Sequence, residues 1–166
     1  MRKASIILAA VVALSAPVAG AQEKGATPQD VIQKVKQAAS YLAQKKEAGL
    51  ETFKQTQSDY VWADTYVFVI DCAQKKNAAH PLNPKLIGID LSNIKDPTGK
   101  VIGPLFCEDH GGKAYWVEYQ WPKPGEDKPS RKLSYVEPAP GTPYTVSAGV
   151  YDDTRSLADL EKMSGG

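Results

Sequence analysis

Between residues 27 and 49 apolar positions recur at helical spacing. Val31, Val35, Ala38 and Leu42 form one stripe, Ile32 and Ala39 widen it, and lysines and glutamines fill the other side. Thr27-Pro28-Gln29-Asp30 opens the segment with a hydroxyl cap, a proline at the first helical position and an acid in the first turn. The pattern predicts an amphipathic helix of about five turns, at 3.6 residues per turn. Gly49 is placed at its end, with residues 50–53 as a short further turn of helix.

From residue 65 the period changes. Residues 65–71 are β-branched and aromatic and apolar on both faces, which predicts a central strand. Residues 73–77 supply a polar turn and 78–80 a short returning strand. Pro81 and Pro84 then forbid regular pairing and predict an extended loop, anchored by Leu86, Ile87, Ile89, Leu91 and Ile94. Asp96-Pro97-Thr98-Gly99 signals a turn, and 101–109 reads as a short helix carrying Gly103-Pro104. Strands follow at 115–121, 132–137 and 144–151, joined by turns short enough to make them antiparallel neighbours. Residues 156–163 predict a closing helix. The expected fold is one α+β domain, a long N-terminal helix against a five-stranded antiparallel sheet.

Composition changes this picture mainly through the first residues. Met1-Arg2-Lys3, an apolar run from 4 to 18 and Ala19-Gly20-Ala21 have the order of a cleaved secretory signal over residues 1–21. The apolar run is short and alanine-rich for a stable membrane span of about 20 residues, and no later segment approaches that length. A mature domain of residues 22–166 is expected, periplasmic or secreted. Removing 21 of 166 residues leaves 145, enough for one core, and takes the formal charge from +1 to −1 by losing Arg2 and Lys3. A near-neutral chain without a basic block gives no reason to expect a nucleic-acid partner. Export also makes Cys72 and Cys107 a candidate disulfide, with free thiols as the alternative. Two cysteines and two separated histidines, His80 and His110, offer no zinc spacing, so neither a metal nor another cofactor is expected.

Catalytic patterns are missing. Gly-x-Ser-x-Gly, phosphate-loop, dinucleotide and zinc-hydrolase motifs are absent, and neither histidine has a nucleophile in a local motif. An enzyme is therefore not expected. Aromatics concentrate instead on the three C-terminal strands. Alternation puts Tyr115, Tyr119 and Trp121 on one face, and Trp116 on the other with Glu118 and Gln120. One face must meet the helix, leaving the other for a pocket roofed by the 80–94 loop. Of Arg131 and Lys132 only one can face that pocket, and Lys132 shares its face with Ser134. The competing readings are core packing for the aromatics, a loop-carbonyl bond for His80, and pairing of Lys132 with Glu118 across the strands.

Several motifs then fall in a familiar order. Residues 66–81, YVFVIDCAQKKNAAHP, lead into NPKLIGIDLSNIKD, WVEYQWPKPG, RKLSY and AGVYDD. Together they resemble the single Cache domain, an extracytoplasmic sensor module with a PAS-like sheet, over about residues 27–153. The His80-Pro81 pair, the W-x-x-P of Trp121 to Pro124 and the K-x-S-Y of Lys132 to Tyr135 match its pattern. The resemblance implies a pocket between the sheet and the loops after the first hairpin, holding a small organic acid. His80, Tyr119, Trp121, Lys132, Ser134 and Tyr135 are the implied ligand-binding residues, Lys132 as counter-ion and His80 as hydrogen-bond donor. Most such domains continue through a membrane helix into a chemoreceptor or kinase. This sequence has one short helix after the sheet, so a membrane receptor or kinase is expected as a separate partner. The alternative is a docking protein that keeps the scaffold without a ligand.

Overall fold

A computed structural model describes residues 25–165; the expected export segment at 1–21 lies outside them. Helix α1 runs Pro28–Lys45, and its start is a capping box. The Thr27 side chain accepts from the Asp30 backbone N–H while the Asp30 carboxylate accepts from the Thr27 N–H. The helix stops four residues before Gly49. Lys46 turns into a positive φ of 55°, and a 3-10 helix continues over Lys46–Lys54. Gly49 lies inside that segment, where an added Cβ would sit 3.0 Å from the Tyr41 ring and 3.1 Å from Leu42. Its small size serves packing on α1.

The expected strand at 65–71 divides in two. Strands β1 (Val61–Trp62) and β2 (Thr65–Tyr66) form a small hairpin, and β3 (Phe68–Asp71) enters the main sheet. Strand β4 (Lys76–Ala79) returns after Lys75 takes a positive φ of 54°. The chain then crosses a long loop with three short 3-10 turns, the last being Gly103–Cys107. Strands β5 (Tyr115–Pro122), β6 (Pro129–Pro138) and β7 (Tyr144–Tyr151) complete the sheet, and α2 (Leu157–Ser164) follows with Ser156 as its N-cap. The order is β4-β3-β7-β6-β5, with every pairing antiparallel. The last strand therefore lies in the middle, beside the first.

This order builds two layers of core. Val31, Val35, Ala38, Ala39 and Leu42 of α1 are buried against Leu133, Tyr135, Val146, Ala148 and Val150. Burying side chains of this size is worth about 1.5–3 kcal/mol each, so this layer carries much of the stability. The other face holds Tyr66, Phe68, Ile70, Tyr115, Val117, Tyr119 and Val136 beneath Leu91, Ile94, Ile102 and Phe106 of the long loop. A Cys72–Cys107 disulfide, with Cα atoms 5.6 Å apart, ties the end of β3 to that loop.

Candidate functional site

Register decides which side chains meet on the loop-covered face. Tyr119 pairs with Lys132 and Val117 with Ser134 between β5 and β6, while Lys132 pairs with Tyr151 and Ser134 with Gly149 between β6 and β7. Directly opposed residues share a face, so all of these point away from α1. Tyr135 lies one residue beyond Ser134 and points to α1, where its ring packs 5.3 Å from Trp116. The expectation that Tyr135 walls the pocket is therefore corrected: strand alternation puts it in the helix-side core.

A cavity lies between this face and the loop. It is lined by Tyr66, Phe68, Ile70, Asn77, His80, Leu86, Ile94, Ile102, Phe106, Tyr119 and Trp121. Its free volume is about 20 Å³, room for roughly one water molecule. Tyr66, His80 and Trp121 also border an open surface groove with the 122–127 turn, so they stand between cavity and solvent.

His80 directly follows β4, where the chain must leave the sheet. Pro81 has no N–H, and the next two backbone donors, Leu82 N–H and Asn83 N–H, curl back onto His80 Nδ1 at 3.3 and 2.9 Å. With Nδ1 accepting, the ring proton belongs on Nε2. The ring packs 4.7 Å from that of Tyr66 and stacks 6.0 Å from Phe68. Burial, with Lys132 nearby, pulls the His80 pKa down to about 3, so the imidazole is neutral at physiological pH and offers Nε2–H as a donor.

Lys132 is wholly buried. Its Nζ has no hydrogen-bond partner among the described residues and lies 4.3, 4.8 and 5.6 Å from the ring centres of Tyr66, Tyr151 and Phe68. Cation–π contact offsets only part of the cost of removing an ammonium from water. Burial accordingly pulls its pKa down to about 7. Glu118 does not pair with it. Its carboxylate takes a two-pronged bond from Arg131 on the helix-side face, at 2.9 and 2.7 Å. The Lys132 ammonium thus lies behind the rings of Tyr66 and Phe68, both of which line the cavity.

Hydroxyls complete the surroundings. Tyr119 Oη and Ser134 Oγ are 3.0 Å apart and buried, and Tyr151 donates to the Pro122 carbonyl at 3.0 Å. Burial raises the pKa of Tyr66, Tyr119 and Tyr151, keeping all three un-ionised. Gly149 makes this crowding possible: a Cβ there would lie 2.5 Å from Ser134 Oγ, 2.6 Å from the Leu133 carbonyl oxygen and 3.0 Å from Lys132 Cε.

Of the six residues expected from the sequence, His80, Tyr119 and Trp121 line the cavity. Lys132 and Ser134 lie on the same face beneath it, and Tyr135 is on the other. Tyr66, Phe68, Asn77, Phe106, Tyr151 and Gly149 were not among them. Tyr151 and Gly149 reach Lys132 and Ser134 through the β6–β7 register, whereas the places of the other four depend on β3 and β7 being neighbours and on the loop folding over both, which no local motif records.

The geometry can be set beside known proteins. A profile described as Single Cache domain 2 matches residues 6–158. The chain is 37% identical over 91 residues to the methyl-accepting chemotaxis protein McpP of Pseudomonas putida, covering 54% of this chain and only 16% of that receptor. Among solved structures it resembles a Cache chemosensory domain studied for carboxylic acid recognition, at 31% identity and TM-score 0.61, covering 75% of this chain and 92% of that one. The periplasmic sensor domain of a chemotaxis protein matches at 28% identity and TM-score 0.58, over 76% and 90% of the two chains. A methyl-accepting chemotaxis protein from Vibrio parahaemolyticus, at 21% identity and TM-score 0.57 over 80% and 89%, shares the fold. With the profile matched along most of its length and the sheet, loop roof and cavity arranged as above, this chain belongs to the Single Cache domain 2 family of sensor domains.

Proposed function

We propose that this domain senses a small monocarboxylate outside the cytoplasm and passes the signal to a membrane receptor. The observation that carries the reading is Lys132, a wholly buried ammonium with no hydrogen-bond partner among the described residues. A buried cation without a close partner is costly, the Asp64 charge offsetting only part of the burial, and a carboxylate is the complementary group. Lys132 serves as counter-ion, His80 Nε2–H and the un-ionised Tyr66 and Tyr119 hydroxyls as donors, and Trp121 as a wall. The free volume is smaller than even a two-carbon acid needs, so a ligand enters with rotation of the Tyr66 or Phe68 ring. That movement also uncovers the ammonium. Carboxylic acid recognition by a related Cache chemosensory domain supports this ligand class. The periplasmic and chemotaxis relatives support the location and a receptor partner. An inward cation beneath a small cavity lined by buried aromatic residues also favours ligand binding over a docking platform, which would present its aromatic residues on the surface.

A thermal-shift screen of acetate, propanoate, butanoate and related small acids at neutral pH tests the proposal, with Lys132→Ala and His80→Ala beside the wild type. Lys132→Ala should weaken binding by about 2–5 kcal/mol, as for one partner of a buried charge pair. Lys45→Ala, on the exposed side of α1, should change nothing. A hit bound undiminished by both site variants overturns the assignment. No hit, on protein shown to carry no ligand, favours the docking reading.

A further inference from the structure

The side chains that meet Lys132 carry no charge. Tyr66 reaches it from β2, Tyr151 from β7 and Tyr119 from its paired position on β5, and all three hydroxyls are un-ionised. His80, which follows β4, is neutral at physiological pH. The negative charge that acts on this lysine comes from Asp64, at the tip of the β1–β2 hairpin. Val61 pairs with Tyr66 and Trp62 with Thr65, so Ala63 and Asp64 make the turn, with Ala63 at a positive φ of 44°, uncommon outside glycine. The two residues after Asp64 are fixed at the site. The Thr65 hydroxyl donates to the Gly149 carbonyl at 2.6 Å, and the Tyr66 ring centre lies 4.3 Å from the Lys132 ammonium. The Asp64 carboxylate is itself held. It accepts the Ala26 backbone N–H at 2.8 Å, one residue before the cap of α1, and a Cβ on Gly25 would come within 2.9 Å of its Oδ2. One half-buried side chain thus touches the chain entering α1 and belongs to the turn that places Tyr66 on Lys132.

We infer that Asp64 is a positioning residue for the carboxylate site: fixed by the Ala26 N–H, its carboxylate favours the Lys132 ammonium that the ligand needs and links that charge to the entry of α1. This rests on the carboxylate reading above and deepens it. Burial drives Lys132 toward the uncharged amine, and the Asp64 charge opposes that by attraction. Lys123 of the 122–127 turn also feels Asp64, but it has its own partner, the Asp152 carboxylate at 2.8 Å. An arriving ligand anion shares the ammonium with Asp64, and the two carboxylates repel. The field at the Ala26 hydrogen bond therefore changes when the lysine loses its proton or gains a ligand.

The test is an NMR titration of the ligand-free protein, isotopically labelled at lysine Cε, with the Lys132 signal identified by its absence from Lys132→Met. Asp64→Asn keeps an oxygen for the Ala26 N–H and loses only the charge, whereas Asp64→Ala loses both. Each should lower the Lys132 midpoint by about half a pH unit or more from its wild-type value of about 7. In the wild type the Ala26 amide signal should titrate with the Lys132 midpoint and shift when propanoate is added. In Lys132→Met it should do neither. By calorimetry, propanoate should bind Asp64→Asn about threefold more weakly than wild type at about pH 8, and no more weakly at about pH 6, where the lysine is largely protonated in both. An unchanged Lys132 midpoint in Asp64→Asn, or an Ala26 amide that does not follow the lysine, overturns the inference. If propanoate binds the wild type but the midpoint does not move, only this inference falls. If the midpoint falls and Ala26 follows it while no small acid binds, the carboxylate reading falls and the link from Lys132 through Asp64 to Ala26 stands.

Discussion

At the residue scale, the unusual group is the Lys132 ammonium, and its titration makes the site readable in solution. Its ordinary pKa of 10.5 falls to about 7 on burial. Between those values the unfolded chain is protonated at this lysine and the folded one is not. The folded protein is therefore disfavoured near pH 7 and below, and stability from this group rises as pH climbs from about 7 toward 10.5. Lys132→Met should remove that slope and raise the melting temperature at neutral pH, because an apolar side chain of similar length replaces an unpaired buried charge. The same substitution should abolish carboxylate binding, which makes the lysine a residue kept for function against stability. For the wild type, carboxylate affinity should be flat just below pH 7 and fall about tenfold per pH unit above it, as the free protein loses the ammonium the ligand needs. His80, with its pKa pulled down to about 3, should add no step between pH 6 and 7. Titration calorimetry across pH 6 to 9 checks both statements. Affinity that does not change above pH 7 would remove Lys132 from the binding role.

At the element scale, the sheet is held differently on its two faces. Helix α1 covers one face with a continuous aliphatic stripe, whereas the other is covered by a loop with little regular structure. The loop is tied down in places. The Asp96 Oδ1 accepts from Thr98 N–H at 2.9 Å and from the Thr98 hydroxyl, and its Oδ2 from Gln120 N–H at 3.3 Å, which pins the turn to edge strand β5. The Cys72–Cys107 bridge holds the Phe106 turn against β3, and the Phe106 ring meets those of Phe68 and Tyr119 edge-on at 5.1 and 5.6 Å. A bridge closing a loop of this length, with cysteines 35 apart, is worth roughly 4 kcal/mol in the chain-entropy model. Reduction, or Cys72→Ser with Cys107→Ser, should lower the melting temperature accordingly. It should also weaken ligand binding, because the roof loses one of its ties. A reduced protein that melts and binds unchanged would show that packing alone holds the loop.

At the scale of the whole molecule, the long loop between β4 and β5 makes a sensor out of a helix and a sheet. It folds back over the sheet face that α1 leaves bare and so forms the cavity that His80, Tyr119 and Trp121 line. Among the described residues no helix is long and apolar enough to cross a membrane. If residues 1–21 are an export signal, protein made in a secreting host should begin at Gln22, and its intact mass should show the loss of Met1 to Ala21. Material that keeps those residues and stays with the membrane fraction would instead make the segment an anchor.

Much of this was legible in the sequence, for identifiable reasons. Helix α1, its capping box and its buried stripe follow from a 3.6-residue period and one turn of local chemistry at Thr27 to Asp30. The face shared by Tyr119, Trp121, Lys132 and Ser134 follows from a period of two and a short connection that sets register. The HP, W-x-x-P and K-x-S-Y motifs are local, so the family could be recognised from them. What the tertiary structure decided is everything that depends on distant segments meeting. The pairing of β7 with β3 sets Phe68 opposite Ser147 and brings the Phe68 ring to within 5.6 Å of the Lys132 ammonium, and no turn connects those strands. Tyr135 looked like a pocket residue because its motif neighbours are, but one step along a strand reverses direction. Asn77 reads in the sequence as part of a polar turn, and only the tertiary structure buries it, with its Oδ1 unpartnered among the described residues. Local periodicity fixes which face a side chain takes, whereas what it meets there depends on chain segments tens of residues away.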